Sequence, residues 1–401
     1  MNVPSSFGWV DFAAENQKKM LDVVKLFRKK DTVDELGIGS IRDSFSNYFF
    51  PGTSTIYTRA KYMLFIPWIY KKLEEKEITY PKIANRARKY EIKLIYALLD
   101  SEDTDGIIGG EAKESLKRLP SEIYWVGLES WGIRLHSGSK SQYHRSLTSR
   151  YYKKSKLDEG ENYNWDLGLP KAPDNFLNSA DIRLTGSEAD YLDDRIACNH
   201  SDSLLFYLIN NQIDSKPDFF WQLEIVNELP EKLKKFIRDA RNFSETINGA
   251  FLYYNFLLAQ DRGDKELISK YSNLLDNWIG IINQRWVELK TWYQNLDNFW
   301  SSPPLIRNNI SVTTKSFVEQ WYDIIFNSGL EDLKSNRDAK LLIKNRERNL
   351  KGKRARLHNP RALEMWGGRS GIGQLGYRWG TVKTIIADIV NGLQEGAIGD
   401  A

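Results

Sequence analysis

Apolar residues recur along much of the chain at the spacing of helices that bury one face. The clearest run covers residues 278–300, where the steps between apolar positions are four, four, three, four, three and four. Those positions fall on one side of a helix. They are Trp278, Ile282, Trp286, Leu289, Tyr293, Leu296 and Trp300. The stretch TVKTIIADIVNGL, from Thr381, predicts a last amphipathic helix.

The N-terminal part of the chain also has helical patterning, over residues 11–75, interrupted by the turn sequence PGTS. Within it, MLFIPWIY at 63–70 is apolar on all sides, which predicts a buried element. Pro67 is expected to kink or break that element because proline removes a backbone donor.

Strand signals are few, and the main one is GIRLHSGSKSQYH at 132–144. Its apolar and polar residues alternate around Ser-Gly-Ser, which predicts a small β-hairpin. A short helix followed by a basic hairpin is the layout of a winged-helix unit. The predicted fold is therefore mainly α, a multi-helix protein with one small hairpin-containing, winged-helix-like module.

Composition shifts along the chain predict five consecutive segments. They are an N-terminal helical domain at 1–119, a basic helix-hairpin module at 120–157, a linker at 158–180, a central helical domain at 181–330 and a basic helix with a Gly-rich and helical end at 331–401.

Composition excludes several classes of protein. The single cysteine, Cys198, rules out an intrachain disulfide framework and a multi-cysteine zinc site. The longest uncharged apolar-rich stretch is shorter than the ~20 residues of a membrane span. The first residues lack the pattern of a signal peptide. We expect a cytoplasmic protein with no membrane contact.

Sequence motifs for catalysis are weak. The four histidines form no zinc-binding pair, and neither a cofactor motif nor a metal site is predicted. A non-enzymatic role is therefore favoured. The alternative is a metal-dependent nuclease with scattered carboxylates, among them Glu188, Asp193 and Asp194.

Positive charge is concentrated in two segments, although the whole chain carries only +4. Residues 132–157 contain seven Lys or Arg and no acid, and residues 337–361 contain ten Lys or Arg against two acids. Concentrated basic charge indicates a polyanionic partner. We expect DNA, or RNA, as that partner.

The candidate phosphate contacts follow from these two segments. In the first they are Arg134, Lys140, Arg145, Lys153 and Lys154, and Tyr143 and Tyr151 are candidates for stacking on unpaired bases. In the second they are Lys344, Arg348, Lys351, Lys353, Arg354 and Arg356. Arg59 and Lys61, on the second N-terminal helix, are further candidates.

A basic segment also has other uses. It can solubilise a surface, or dock onto an acidic protein, in which case the chain would be a protein-protein adaptor. The sequence leaves this alternative open.

Several motifs together resemble an uncharacterised bacterial domain-of-unknown-function family associated with antiphage defence gene neighbourhoods. They are the stretch from ELGIGSIRDSF to MLFIPWIY, YWVGLESWGI with GSKSQYH, and NPRALEMWGG with YRWGTVKTIIADIVNGL. The resemblance implies a protein of the bacterial cytoplasm that acts beside helicases, nucleases or methyltransferases. Taken with the basic segments, it predicts a DNA-binding or adaptor subunit of a defence complex. It supplies no catalytic residue.

Overall fold

A computed structural model of the chain describes residues 34–154, 163–211 and 217–399, with the backbone alone for 152–154 and 398–399. The part of the predicted N-terminal helical region before residue 34, and residues 158–162 of the predicted linker, lie outside the described residues.

Helices make up most of the described chain and confirm the predicted mainly α class. In the N-terminal half they are α1 (Gly39–Phe49), α2 (Tyr62–Glu75), α3 (Lys82–Leu99), α4 (Pro120–Ser130), α5 (Lys140–Lys154), α6 (Gly186–His200) and α7 (Leu204–Asn210). In the C-terminal half they are α8 (Glu231–Arg262), α9 (Lys265–Gln284), α10 (Trp286–Gln294), α11 (Leu296–Trp300), α12 (Pro303–Ile306), α13 (Val312–Asp323), α14 (Arg337–Lys351), α15 (Pro360–Glu364) and α16 (Trp379–Gly399).

The predicted β-hairpin, and with it the winged-helix-like module, is wrong. The β pairing in the described chain is a single bridge between Arg134 and Trp165. The extended stretch therefore pairs with a distant segment. The second half of the predicted hairpin begins α5 instead, because Ser139 and Gln142 form a capping box. The backbone N–H of Gln142 donates to Ser139 Oγ over 3.2 Å, and the backbone N–H of Ser139 donates to Gln142 Oε1 over 2.7 Å.

The chain divides by its contacts into two units, each assembled from three stretches. Unit 1 is the described part of Met1–Ile41 with Arg241–Ser301 and Asn309–Leu375. Unit 2 is the described part of Arg42–Ala240 with Ser302–Asn308 and Gly376–Ala401. The five consecutive segments predicted from the sequence remain a prediction about separable domains.

In unit 2, the residues of α2 from Tyr62 to Tyr70 are all buried, as the all-round apolar pattern predicted. Pro67 lies inside this helix without ending it. In the same unit, α16 packs closely on α6 where two glycines meet. A Cβ added at Gly186 would lie 2.6 Å from the Cα of Gly396, so only glycine allows this approach.

Unit 1 contains the predicted apolar face of residues 278–300, divided between α9, α10 and α11. Trp278, Leu289 and Trp300 from this face are buried. Trp278 donates from Nε1 to the Glu245 carbonyl over 2.7 Å, and its ring fills the space that a side chain at Gly249 would need. A π-helical turn, Ile324–Ser328, follows α13 and leads towards α14.

Candidate nucleic-acid interface

Arg134, the first predicted phosphate contact, lies inside unit 2. Its side chain is buried and its guanidinium lies 4.7 Å from the centre of the Trp125 ring. It donates to the carbonyls of Trp125 and Gly138 over 3.2 Å each and forms an ion pair with Glu129 at 2.5 Å. The contacts with Trp125 and Glu129 hold the extended stretch against α4, so Arg134 supports the fold of the segment.

Lys140, at the start of α5, is half-buried and engaged by α4. Its Nζ lies 3.1 Å from both Ser121 Oγ and Glu122 Oε1. Ser121 in turn donates over 2.8 Å to Glu91, a buried carboxylate of α3 whose pKa is raised by burial. The Lys140 charge offsets an internal acid and is not free for a phosphate.

Tyr143 is fully buried, so in this arrangement its ring is not available for stacking on a base. Its hydroxyl donates to Glu74, which also accepts from Asn164 Nδ2 at 2.9 Å and Trp165 Nε1 at 3.0 Å. Tyr151 is half-buried, and its hydroxyl is enclosed without a hydrogen-bond partner among the described residues. Both tyrosines face the interior of unit 2.

Arg145 is the predicted contact of the first segment that the structure leaves open. It is exposed on α5 and forms no ion pair with a described residue. Lys153 and Lys154 end the same helix, and their side chains lie outside the described residues.

Arg59 and Lys61 are buried and paired. Arg59 lies 3.0 Å from Asp388 on α16 and 2.8 Å from Asp103, and Lys61 lies 2.7 Å from Glu188 on α6. Burial alone would lower the pKa of Arg59, but the two carboxylates raise it. These pairs hold the start of α2 to other parts of unit 2.

The second basic segment lies in unit 1, where the predicted basic helix is α14, which forms over Arg337–Lys351 and ends at Gly352. Three of its predicted contacts have internal partners. Lys344 pairs with Asp261 at 3.1 Å, Lys351 pairs with Glu347 at 3.2 Å and with Glu35, and Arg356 pairs with Glu35 at 3.1 Å.

Glu347 is the centre of this buried network. Tyr254 donates to it over 2.5 Å, and the backbone N–H groups of Arg356 and Leu357 donate over 2.9 Å each. Burial alone would raise the pKa of Glu347, but these bonds and Lys351 hold it below its usual value. The carboxylates of Glu35 and Glu347 therefore neutralise Lys351 and Arg356 inside unit 1.

Four cations next to this network remain exposed and form no ion pair with a described residue. We call them the basic surface: Arg348, Lys353, Arg354 and Arg361. The first three were predicted from the sequence as phosphate contacts, and Arg361 was not. The Asn-Pro sequence before it is a typical helix start and could have shown that Arg361 turns back towards the segment.

Backbone bonds hold these four residues on adjoining turns. The Gly352 N–H donates to the Arg348 carbonyl, which places Lys353 beside the end of α14. Asn359 then bridges two turns, because its Nδ2 donates to the Lys353 carbonyl over 2.7 Å and its Oδ1 accepts from the Arg361 N–H over 3.1 Å. The arrangement gathers four positive charges at the end of one helix.

The carboxylates of the nuclease alternative belong to α6 in unit 2. Glu188 completes the capping box of that helix with Thr185 and pairs with Lys61. Burial raises the pKa of Asp193, and the neighbouring Asp194 raises it further. Among the described residues, no group of three or more His, Cys, Asp or Glu side chains could hold a metal ion.

The comparisons with known proteins give a family and no activity. Residues 4–392 match the model of a family described as "Family of unknown function (DUF6361)". No curated protein and no solved structure matches the chain. In the described part of the chain, none of the helices is both long enough and apolar enough to span a membrane.

Proposed function

We propose that this chain, which belongs to the DUF6361 family of unknown function, is a non-enzymatic protein that binds the phosphate backbone of DNA through its basic surface. One observation carries the proposal. The four cations of the basic surface are exposed and form no ion pair with a described residue, whereas the charges of the neighbouring Glu347 network neutralise one another. Evenly distributed cations would be typical of an ordinary solvated surface.

The chemistry of the basic surface suits phosphate. Arginine and lysine release counterions when they neutralise phosphates, which supplies most of the affinity in sequence-independent binding. Three of the four residues are arginines, whose guanidinium groups can donate two parallel hydrogen bonds to one phosphate. Phosphate contacts carry no sequence information directly, so we expect binding with little sequence preference.

The charge-reversal variant Lys353→Glu with Arg354→Glu tests the proposal. Two lost contacts and two added negative charges should weaken binding of a fluorescein-labelled duplex by tenfold or more at about 50 mM salt. Fluorescence anisotropy of the full chain measures the effect.

The matched control is Lys117→Glu with Arg118→Glu. It reverses the charge of an exposed Lys-Arg pair that lies in unit 2, whereas the basic surface lies in unit 1. The control should bind the duplex within about twofold of the parent chain. Equal losses in both variants would show only an effect of net charge. No binding by the parent chain would reject the proposed function.

We also propose that the chain acts in a bacterial antiphage defence complex beside a helicase, nuclease or methyltransferase. This proposal rests on the resemblance of its motifs to the defence-associated family. Purification of the tagged chain from nuclease-treated cells tests it, since a protein partner survives that treatment and a partner held only through DNA does not.

A further inference from the structure

Unit 1 contains a groove of about 1120 Å³ that the basic surface does not use. One wall is α13 with the π-helical turn that follows it, and the other is α14. Arg346 bonds to Thr313 and Thr314, so the start of α13 lies beside the last turns of α14. π-helical turns are rare and often occur at functional sites, and here Asn327 and Ser328 on the turn line the groove.

The groove exposes apolar side chains to solvent. Val312 is 81% exposed, Leu341 59% and Leu350 43%, and all three line it. Each would gain free energy from an apolar side chain packed against it, at about 25 cal/mol per Å² buried. The lining therefore favours an occupant with an apolar face.

The charge available in the groove is negative. Asp323 and Asp338 line it and are exposed. Arg346 is the cation of the lining, and its donors are occupied by the carbonyls of Leu36 at 2.8 Å, Thr313 at 3.1 Å and Gly37 at 2.9 Å. Because both acids lie where α13 ends and α14 begins, the negative charge is at one end of the groove.

The dimensions fit a helix of about three turns. The lining residues on α14 run from Asp338 to Leu350, which is about 18 Å of helix. Amide side chains of Gln320, Asn345 and Asn349 are spread along the walls and can pair with polar groups at the edge of an occupant.

We propose that the groove docks a basic amphipathic helix of a partner protein, with its apolar residues at i, i+3 or i+4 and i+7 and its Lys or Arg residues at the end facing Asp323 and Asp338. This is the helix-in-groove mode of recognition, with charge complementarity fixing the direction of the helix. It is independent of the proposed function, because none of the four residues of the basic surface lines the groove.

A labelled model peptide tests the docking proposal on the full-length chain. The probe is a leucine-lysine helix of about 14 residues with leucines on one face and lysines at one end. In fluorescence anisotropy, Leu341→Asp should weaken its binding at least tenfold, because it buries a carboxylate against the leucines. Ile281→Asp, at a similarly exposed position of α9 that does not line the groove, should leave binding unchanged.

Charge reversal of the peptide and neutralisation of the groove give independent readouts. The same peptide with glutamates in place of lysines should bind at least tenfold more weakly, and Asp323→Asn with Asp338→Asn should reduce the difference between the two peptides. Equal binding by Leu341→Asp and the parent chain would overturn the proposal.

Two further outcomes would replace the partner protein as the occupant. A parent chain that forms a dimer, which Leu341→Asp dissociates, would assign the groove to a second copy. If the peptide binds only after the Lys and Arg residues of positions 18–30 are changed to Ala, the occupant of the groove is that segment of this chain. Lys353→Glu with Arg354→Glu should leave peptide binding intact, so failure of the DNA proposal and failure of this one can be told apart.

Discussion

His144 is a residue whose surroundings make the stability of the protein depend on pH. It is buried on α5, with its Nε2 3.3 Å from the Tyr70 hydroxyl. Burial, with a smaller effect from Lys140, lowers the pKa of His144 to about 4. The unfolded chain takes up this proton near pH 6.5, so it binds more protons than the folded chain between about pH 6.5 and about 4. Folding stability therefore falls as the pH falls through that window, by up to about 3 kcal/mol from this residue.

The variant His144→Gln should reduce that loss, because glutamine does not titrate. Urea unfolding at pH values across the window measures the difference between the parent chain and the variant. His358→Gln changes an exposed histidine and should keep the pH dependence of the parent chain. A variant at His144 with the full pH dependence would show that another group causes it.

At the scale of single residues, the sequence could indicate which segments are basic but not which cations are free. Arg134 and Arg348 are the same residue type in equally basic surroundings. One is buried against Trp125 and paired with Glu129, and the other is exposed. What separates them is the position of distant partners after folding, and residue spacing does not contain that information.

The start of α5 is an element whose cause can be tested directly. Ser139→Ala removes the hydroxyl that accepts the Gln142 N–H, leaving a donor at the helix end unsatisfied. We expect a loss of about 1 kcal/mol in the free energy of unfolding of unit 2, measured by chemical denaturation. Ser137→Ala, at an exposed position just before the cap, should change the free energy of unfolding by less than about 0.5 kcal/mol. Equal effects would mean that the cap does not stabilise α5.

At the scale of elements, periodicity predicted the helices that bury a continuous face. It predicted the last helix, in which Val382, Ile385, Ile386 and Ile389 are buried. It missed that residues 278–300 form three helices, because the breaks at Arg285 and Asn295 leave the spacing of apolar residues intact. The hairpin prediction failed because Ser139 and Gln142 have the Ser-x-x-Gln spacing of a capping box and start a helix within the alternating stretch.

At the scale of the molecule, some cations of a basic segment form internal ion pairs and others are exposed to solvent. The second segment carries ten cations, but Lys344, Lys351 and Arg356 are paired and Arg346 is buried among carbonyls. Sequence charge alone therefore overstates the number of phosphates that the segment could contact. Of the other six cations, Arg337 and Lys340 are exposed near the start of α14, and the remaining four form the basic surface, whose phosphate contacts a binding measurement can count.

The salt dependence of DNA binding gives that count for the whole molecule. Four phosphate contacts predict a slope of log K against log salt near −3.6, and so a loss of about 100-fold between about 50 and 200 mM salt. The variant Lys353→Glu with Arg354→Glu should lower the magnitude of the slope by about two, because each lost contact removes close to one counterion. Lys117→Glu with Arg118→Glu should keep the slope of the parent chain. A parent slope near −10 would require cations beyond the basic surface, with Arg145 the first to test, whereas a slope near zero would mean that phosphates do not hold the DNA.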